Sequence, residues 1–315
     1  MDILSAKLRI LTFLAGVLIA GLAAAIVLAV ISYFFGVAVS FHIISIIMLA
    51  FVVLDFVQWL FSPYIIGYAY RLTPVREDDQ SNAWLLEMVS RLASNNNLKM
   101  PKLFIAEMGF PNAFAYSSPL AGKRVAVTRP LLDILDRDEL EAVLAHEMGH
   151  LKHRDSELLF AIGLIPTLMF YLAYGLIFSG SSREQNGYAF LVAIALMVLS
   201  FVFNIMILGM NRIRESYADM NAVKTVDGGA VHLQTALAKI VSFTGVKYRR
   251  RKSDAGSSIA TMLLFSDLNS PADGGYTSLL EKWKTMKVSR AASWFSSHPH
   301  PAIRIQMLEK YRVSY

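Results

Sequence analysis

The chain reads Ala-His-Glu-Met-Gly-His-Leu at residues 145–151, and this stretch decides how the rest of the sequence is interpreted. Its two histidines are four residues apart with a glutamate directly after the first, which is the H-E-x-x-H pattern. Four residues of α-helix turn through about 400° and rise about 6 Å, so His146 and His150 share one face and can bind one metal ion. Glu147 points about 100° away, within reach of a water molecule on that ion. The stretch therefore predicts a helical metal site with a carboxylate base.

The composition limits the ligands and partners that the chain can use. The 315 residues include no cysteine, so a metal ion has to be held by histidine and carboxylate side chains. Hydrophobic residues make up 55% of the chain, which is typical of a membrane protein. The formal net charge of +6 is spread over polar segments beside apolar runs. We interpret that charge as membrane topology and attraction to lipid headgroups, not as nucleic-acid binding.

Four apolar segments predict four membrane spans. The run from Ile10 to Leu54 is too long for a signal sequence and long enough for two spans of about 20 residues, joined by a turn at 36–40. Two further runs, Leu158–Phe178 and Tyr188–Met210, are separated by a short polar turn. Of the 30 Lys and Arg residues, only Arg183 falls in a predicted external loop. The positive-inside rule then places both termini and the histidine motif in the cytoplasm.

The polar segments predict a mainly α domain with a small antiparallel β-sheet. Three short runs are expected to form its strands: Lys102–Glu107, Asn112–Ser117 and Arg124–Thr128. Asp136 or Asp138 is expected to cap the helix that carries the histidine motif. In chain order we expect two spans (1–62), the first part of the soluble domain (63–157), two more spans (158–210) and its second part (211–315). That last part includes a mobile flap at 253–276.

The metal site needs a third protein ligand, and His153 and Glu215 are the candidates. His153 shares the face of His146, but seven residues of helix separate the two by about 10.5 Å. Zinc–nitrogen bonds are about 2 Å long, so one straight helix cannot supply all three ligands. Glu215 comes from another predicted helix and meets this requirement. Asp219 lies four residues later on the same face of that helix.

The order of these motifs resembles that of the HtpX-type membrane metalloproteases, a family related to the CAAX prenyl endoprotease. The resemblance covers nearly the full length. It rests on two spans, an Asn112-Ala113-Phe114-Ala115 segment, H-E-x-x-H, two further spans, Glu215-x-x-x-Asp219, and His298-Pro299 with Arg304 six residues after the histidine. It implies a four-span membrane protein with a gluzincin-like zinc protease domain on the cytoplasmic side and one zinc ion per chain.

The resemblance also implies roles for individual residues. They are zinc ligand for His146, His150 and Glu215, general base for Glu147, orientation of a zinc-bound histidine for Asp219, and stabilisation of the oxyanion for His298 and Arg304. His300 is a rival for the role of His298, although the spacing to Arg304 favours His298. The run Asn112, Ala113, Phe114, Ala115 and Tyr116 resembles the edge strand on which such proteases align an extended substrate.

The expected activity is metal-assisted hydrolysis of peptide bonds, with Glu147 moving the proton of a zinc-bound water. The resemblance implies a plasma-membrane enzyme of a prokaryote that degrades misfolded or damaged membrane proteins in quality control and the stress response. One alternative is a narrow processing enzyme such as a prenyl-protein endopeptidase, although a large intramembrane chamber needs more than four spans. The other is a non-enzymatic membrane scaffold with a structural zinc, in which Glu147 has no chemical purpose.

Overall fold

The computed structural model describes residues 41–178, 186–251, 275–288 and 299–312. Five predicted features lie wholly or largely outside these ranges: the first span of the run Ile10–Leu54, the turn at 36–40, the polar turn at 179–187, the flap at 253–276 and His298. The described elements in chain order are α1 (Phe41–Ala69), β1 (Leu72–Pro74), α2 (Ala83–Asn95), β2 (Lys102–Ala106), β3 (Ala113–Ser118), β4 (Gly122–Thr128), α3 (Arg129–Ile134), α4 (Arg137–His153), α5 (Asp155–Phe178), α6 (Asn186–Thr225), α7 (Gly229–Arg251), α8 (Gly275–Thr285) and α9 (Pro301–Arg312).

The chain divides into two compact units, of which the first is helical wherever it is described. It comprises the described parts of Met1–Trp59 and of Glu157–Ile207. The Trp59 ring stacks on Phe160 with a centroid distance of 4.7 Å. The Ser200 hydroxyl donates to the Pro166 carbonyl at 2.8 Å, which joins α6 to α5.

One helical segment in the described part of the chain, Phe190–Thr225, is long and apolar enough to cross a membrane. It forms most of α6 and includes the predicted span Tyr188–Met210 from its third residue onward. The predicted span Leu158–Phe178 falls on helix α5. The number of four spans and the cytoplasmic orientation stay predictions.

The second unit, Leu60–Ser156 with Leu208–Tyr315, contains a four-stranded sheet of order β1-β2-β4-β3. The predicted antiparallel sheet is wrong, because β2 and β4 pair in parallel and the sheet is mixed. Consecutive strands are neighbours in most sheets. Here β3 does not pair with β2, and β4 lies between β2 and β3. The short strand β1 was not predicted and pairs antiparallel with β2. As a result, β3 forms one edge of the sheet.

The core of the second unit lies between the sheet and the helices packed on it. Its fully buried members come from α2, β4, α3, α4, α6, α7 and α9 and include Leu85, Val125, Leu144, Leu233 and Leu308. Because this core surrounds α4, the histidine motif stands on a rigid element.

Helix α4 begins with a capping box that selects Asp136, rather than Asp138, as its cap. The Asp136 carboxylate accepts from the Glu139 backbone N–H at 2.9 Å, and the Glu139 carboxylate accepts from the Asp136 N–H at 3.0 Å. Such reciprocal bonds satisfy two of the free N–H groups at a helix start. The helix ends at Arg154, whose φ of 55° is left-handed.

Candidate metal centre

Helix α4 brings the two histidines of the motif together in a buried position. His146 is 6% exposed, and its Nε2 atom lies 3.2 Å from Nε2 of His150. The rings meet edge to face, with their centroids 4.8 Å apart. Both Nε2 atoms therefore converge on one point beside the helix.

Glu215 completes this group from α6. Its carboxylate oxygens lie 3.5 Å from Nε2 of His146 and 3.8 Å from Nε2 of His150. A tetrahedral zinc ion with bonds of about 2.0–2.1 Å holds its donor atoms about 3.3 Å apart, so the observed spacing fits zinc. In the described part of the chain, these three residues form the group of histidine and carboxylate side chains that could hold a metal ion. His153 is not in it; its ring lies 5.8 Å from that of Tyr217.

Close packing of α4 on α6 makes this convergence possible. A Cβ atom added to Gly149 would stand 2.9 Å from Cα of Ala218, which is closer than real side chains approach. The Asn221 amide also donates to the carbonyl of Ala145 at 2.8 Å, directly before the motif. Gly149 is therefore required for the distance between the two helices, in addition to lying within the motif.

Each histidine makes a further contact through its other ring nitrogen. Nδ1 of His146 lies 2.8 Å from the fully buried Asp219 carboxylate, the residue that the resemblance assigned to a zinc-bound histidine. Nδ1 of His150 lies 2.6 Å from Asp155, which was not predicted as a site residue. The sequence carries little signal for Asp155, because it follows the end of α4 and reaches His150 only through the left-handed turn at Arg154.

Two arginines hold these carboxylates. Arg304 of α9 donates to both oxygens of Asp219, at 2.9 and 2.5 Å, and its Nη1 lies 3.5 Å from Glu215. Arg214 lies directly before Glu215 on α6, and its Nη2 donates to Asp155 at 2.8 Å. Each of the two histidines thus contacts a carboxylate, and that carboxylate in turn contacts a guanidinium.

Electrostatics in the site favour a protonated His146 when no metal is bound. Burial and the charge of Arg304 oppose the imidazolium form, but hydrogen bonds to Asp219 and Glu215 outweigh them and raise the pKa of His146 to about 9. A proton therefore competes with a metal ion for this imidazole near neutral pH.

Glu147 lies between the metal group and the edge strand. It is 8% exposed, and burial, supported by the charge of Glu215, raises the pKa of its carboxyl above the usual value. The backbone N–H of Ala115 in β3 donates to this carboxylate. Since Thr128 N–H bonds to the carbonyl of Asn112, the antiparallel alternation turns the backbone groups of Ala113, Ala115 and Ser117 outward from the sheet.

The structure places the remaining predicted residues less directly. His298 lies outside the described residues. His300 accepts a hydrogen bond from the Ala302 backbone N–H at 3.1 Å, at the start of α9, and its ring lies 6.1 Å from that of Trp283. The oxyanion roles of His298 and Arg304, and substrate binding along residues 112–116, stay predictions.

Comparison with known proteins agrees with this geometry. The family model described as "Peptidase family M48" matches residues 79–312, a range that holds both halves of the metal group. A "Protease HtpX homolog" of Thermoplasma acidophilum is 49% identical over 318 residues, covering 100% of each chain. A protein of the same description from Picrophilus torridus is 52% identical over 316 residues, again covering 100% of each.

The fold itself also has a counterpart among solved structures. The crystal structure of S. mikatae Ste24p matches with a TM-score of 0.54 at 17% identity, covering 98% of this chain and 67% of that one. At this identity the match supports the fold alone. The family match over most of the chain and the full-length relatives go further, and they show that the chain belongs to peptidase family M48.

Proposed function

We propose that this protease is a membrane-anchored, zinc-dependent endopeptidase. The observation that carries the proposal is the convergence of His146, His150 and Glu215 at the spacing of a tetrahedral zinc site, with Glu147 buried beside it. When bound there, zinc supplies a Lewis acid that lowers the pKa of a water molecule and polarises the scissile carbonyl.

The chain's own residues supply the proton transfers and the orientation of the substrate. The Glu147 carboxylate takes the proton of the attacking water and returns it to the nitrogen of the leaving amine. Its raised pKa suits a group that has to accept a proton and then release it. An extended substrate pairs with the outward backbone groups of β3, which places a peptide bond next to Glu147.

We assign the developing negative charge to donors from the C-terminal segment. His298 and Arg304 stabilise the oxyanion, as the resemblance implies. Arg304 also holds Asp219 and approaches Glu215, so its guanidinium lies against the metal ligands. Loss of Arg304 is therefore expected to affect metal binding as well as turnover.

Helix α6 supports the membrane location. Large apolar side chains of this helix are exposed, among them Leu191, Ile194, Val198 and Phe201. Their spacing covers one face of a helix, which a lipid environment accommodates and water does not. We propose four spans in the plasma membrane of a prokaryote, with both termini and the metal centre in the cytoplasm. Misfolded or damaged membrane proteins are the proposed substrates.

The decisive test is proteolysis by purified detergent-solubilised protein with the substitution Glu147→Gln. We expect casein cleavage to fall by at least about 10²-fold, because general acid–base catalysis contributes on the order of 10²–10⁴-fold. Zinc content should be retained, since Glu147 is not a ligand. The matched control is Glu87→Gln on the exposed face of α2, which should cleave casein normally.

Three results, the last from a parallel assay with prenylated peptides, contradict the proposal or its quality-control part. Cleavage that survives Glu147→Gln shows that the mechanism is wrong. Zinc binding without cleavage in the unchanged protein favours the scaffold. Cleavage confined to prenylated peptides, with casein left intact, favours the processing enzyme over quality control.

A further inference from the structure

Two chains of contacts, each an imidazole, a carboxylate and a guanidinium, lead outward from the metal centre. One is His146–Asp219–Arg304, and the other is His150–Asp155–Arg214. We propose that Asp155, held in place by Arg214, is a positioning residue for His150 and fixes the imidazole with Nε2 toward the metal. This inference rests on the proposed zinc function.

The distances describe a directed contact. Oδ2 of Asp155 lies 2.6 Å from Nδ1 of His150 and 2.8 Å from Nη2 of Arg214, so both partners meet at one oxygen. A carboxylate in this place requires the proton on Nδ1, and a histidine that donates from Nδ1 presents a lone pair at Nε2. The same Nε2 faces His146 and Glu215. The contact therefore selects the tautomer that a metal ion needs.

The ion pair of Asp155 and Arg214 is not explained by a contribution to stability alone. Both side chains are largely buried, and neither Oδ1 of Asp155 nor Nε of Arg214 has a hydrogen-bond partner in the described structure. A buried polar atom without a partner costs about 1–3 kcal/mol, and buried ion pairs often contribute little net stability. An arrangement with these costs is better explained by what it does to His150.

The backbone is also arranged to reach the histidine. Arg154 adopts φ 55° and ψ 48°, a left-handed conformation that costs a non-glycine residue about 1–2 kcal/mol. Its N–H bonds to the carbonyl of His150, which closes α4. The turn then brings Asp155, five residues after His150, back beside that imidazole. A straight continuation of the helix would carry it away.

Helix α6 gains a wider role from this assignment. Arg214 serves His150 through Asp155, Glu215 binds the metal directly, and Asp219 serves His146. These three positions span about one and a half turns, so α6 supplies one ligand and also holds the carboxylates that orient the two histidines. The competing explanation is that Asp155 simply favours the start of α5, where a carboxylate interacts well with the helix dipole. That role needs no histidine.

Zinc affinity and metal geometry separate these explanations. Full-length protein in detergent is measured by chelator competition for zinc, by the visible absorption spectrum of the Co²⁺-loaded form, and by thermal melting. For Asp155→Asn we expect zinc binding about 10–100-fold weaker, the usual loss when the partner of a metal-bound histidine is changed. The Co²⁺ spectrum should change with it. Asp219→Asn is the reference for the first chain of contacts.

A double-mutant cycle tests whether Arg214 acts through Asp155. As a single substitution, Arg214→Gln should weaken zinc binding. Added to Asp155→Asn, it should weaken zinc binding no further. If Asp155→Asn does not fold, the single substitution Arg214→Gln still tests whether Arg214 supports zinc binding. The matched controls are Asp138→Asn on the exposed start of α4 and Arg91→Gln in the exposed pair with Glu141, both with unchanged zinc affinity.

Failure of this inference is distinct from failure of the proposed function. A lowered melting temperature with unchanged zinc affinity and Co²⁺ spectrum in Asp155→Asn assigns the residue to helix stability and overturns the inference. Effects of the two substitutions that simply add overturn the link to Arg214. If the unchanged protein binds no zinc at the His146 group, the zinc enzyme itself is wrong and this assignment falls with it.

Discussion

The two halves of the proposed metal centre obtain their geometry in different ways. On α4, the spacing of His146 and His150 follows from helical periodicity, and a capping box fixes where the helix begins. On α6, Glu215 and Asp219 have the same four-residue spacing, but their distance from α4 depends on how closely two helices pack. The first half is encoded locally and the second is encoded by tertiary contacts. Changes at the junction should therefore disturb the metal more than changes within α4 away from its ligands.

Removal of the α6 ligand is the strongest test of this difference. Glu215→Ala leaves two imidazoles, one fewer than the three protein ligands that catalytic zinc sites use. We expect the purified protein to lose stoichiometric zinc, measured by elemental analysis after dialysis. Glu87→Ala on α2 is the control and should retain the metal. Unchanged zinc content in Glu215→Ala would remove this residue from the ligand set and leave α4 as the whole site.

The same division explains which features were predictable from the sequence. The convergence of His146 and His150 and the cap of α4 depend on residues within one helix, and the structure has both, with Asp136 as the cap. Glu215 was accessible by elimination, because no ligand further along α4 can reach the ion. The mixed sheet was not, since nothing in the strand sequences states that β4 inserts between β2 and β3. Asp155 was missed because no sequence rule places an arginine in a left-handed turn.

The junction between the halves can be altered at Gly149 without touching a ligand. In Gly149→Ala the new Cβ meets the backbone of Ala218, so α4 and α6 have to separate by some tenths of an ångström. Overpacking of this kind costs about 1–3 kcal/mol, and zinc binding should weaken because Glu215 moves with α6. Thermal melting of the metal-free protein and zinc competition measure the two effects.

Gly163→Ala on α5 is the matched control for that substitution. Its Cβ would meet nothing within 4 Å, so the same chemical change is made without a clash. Equal melting temperatures and equal zinc affinities in the two variants would show that the approach of α6 to α4 is not limited by Gly149.

Protonation of His146 links the two halves in a pH-dependent manner. Its pKa in the metal-free folded protein is about 9, above the unfolded value of about 6.5. The stability that this group contributes is therefore fully present below pH 6.5 and is lost as pH rises through about 9. Zinc has to displace the same proton, so its apparent affinity should rise by up to about tenfold per pH unit over that window.

Melting curves and zinc competition from pH 6 to 10 measure this effect. Asp219→Asn removes a principal hydrogen bond that raises the pKa of His146. The pH range over which stability falls and zinc affinity rises should therefore move toward lower pH. If melting temperature and zinc affinity change over the same pH range in Asp219→Asn and in the unsubstituted protein, Asp219 of α6 does not set the charge of His146.

The smallest expected effect is at Arg154, where α4 ends. Arg154→Gly removes the side chain from a left-handed position, and glycine adopts φ 55° without steric cost. We expect a stabilisation of at most about 1 kcal/mol, because relief of strain is partly offset by the greater freedom of glycine in the unfolded chain. Lys224→Gly, in the last turn of α6, is the control and should destabilise by up to a similar amount. Zinc affinity should be unchanged in both, since the turn itself is kept. A destabilised Arg154→Gly would mean that the arginine side chain, and not its backbone geometry, holds the end of α4 in place.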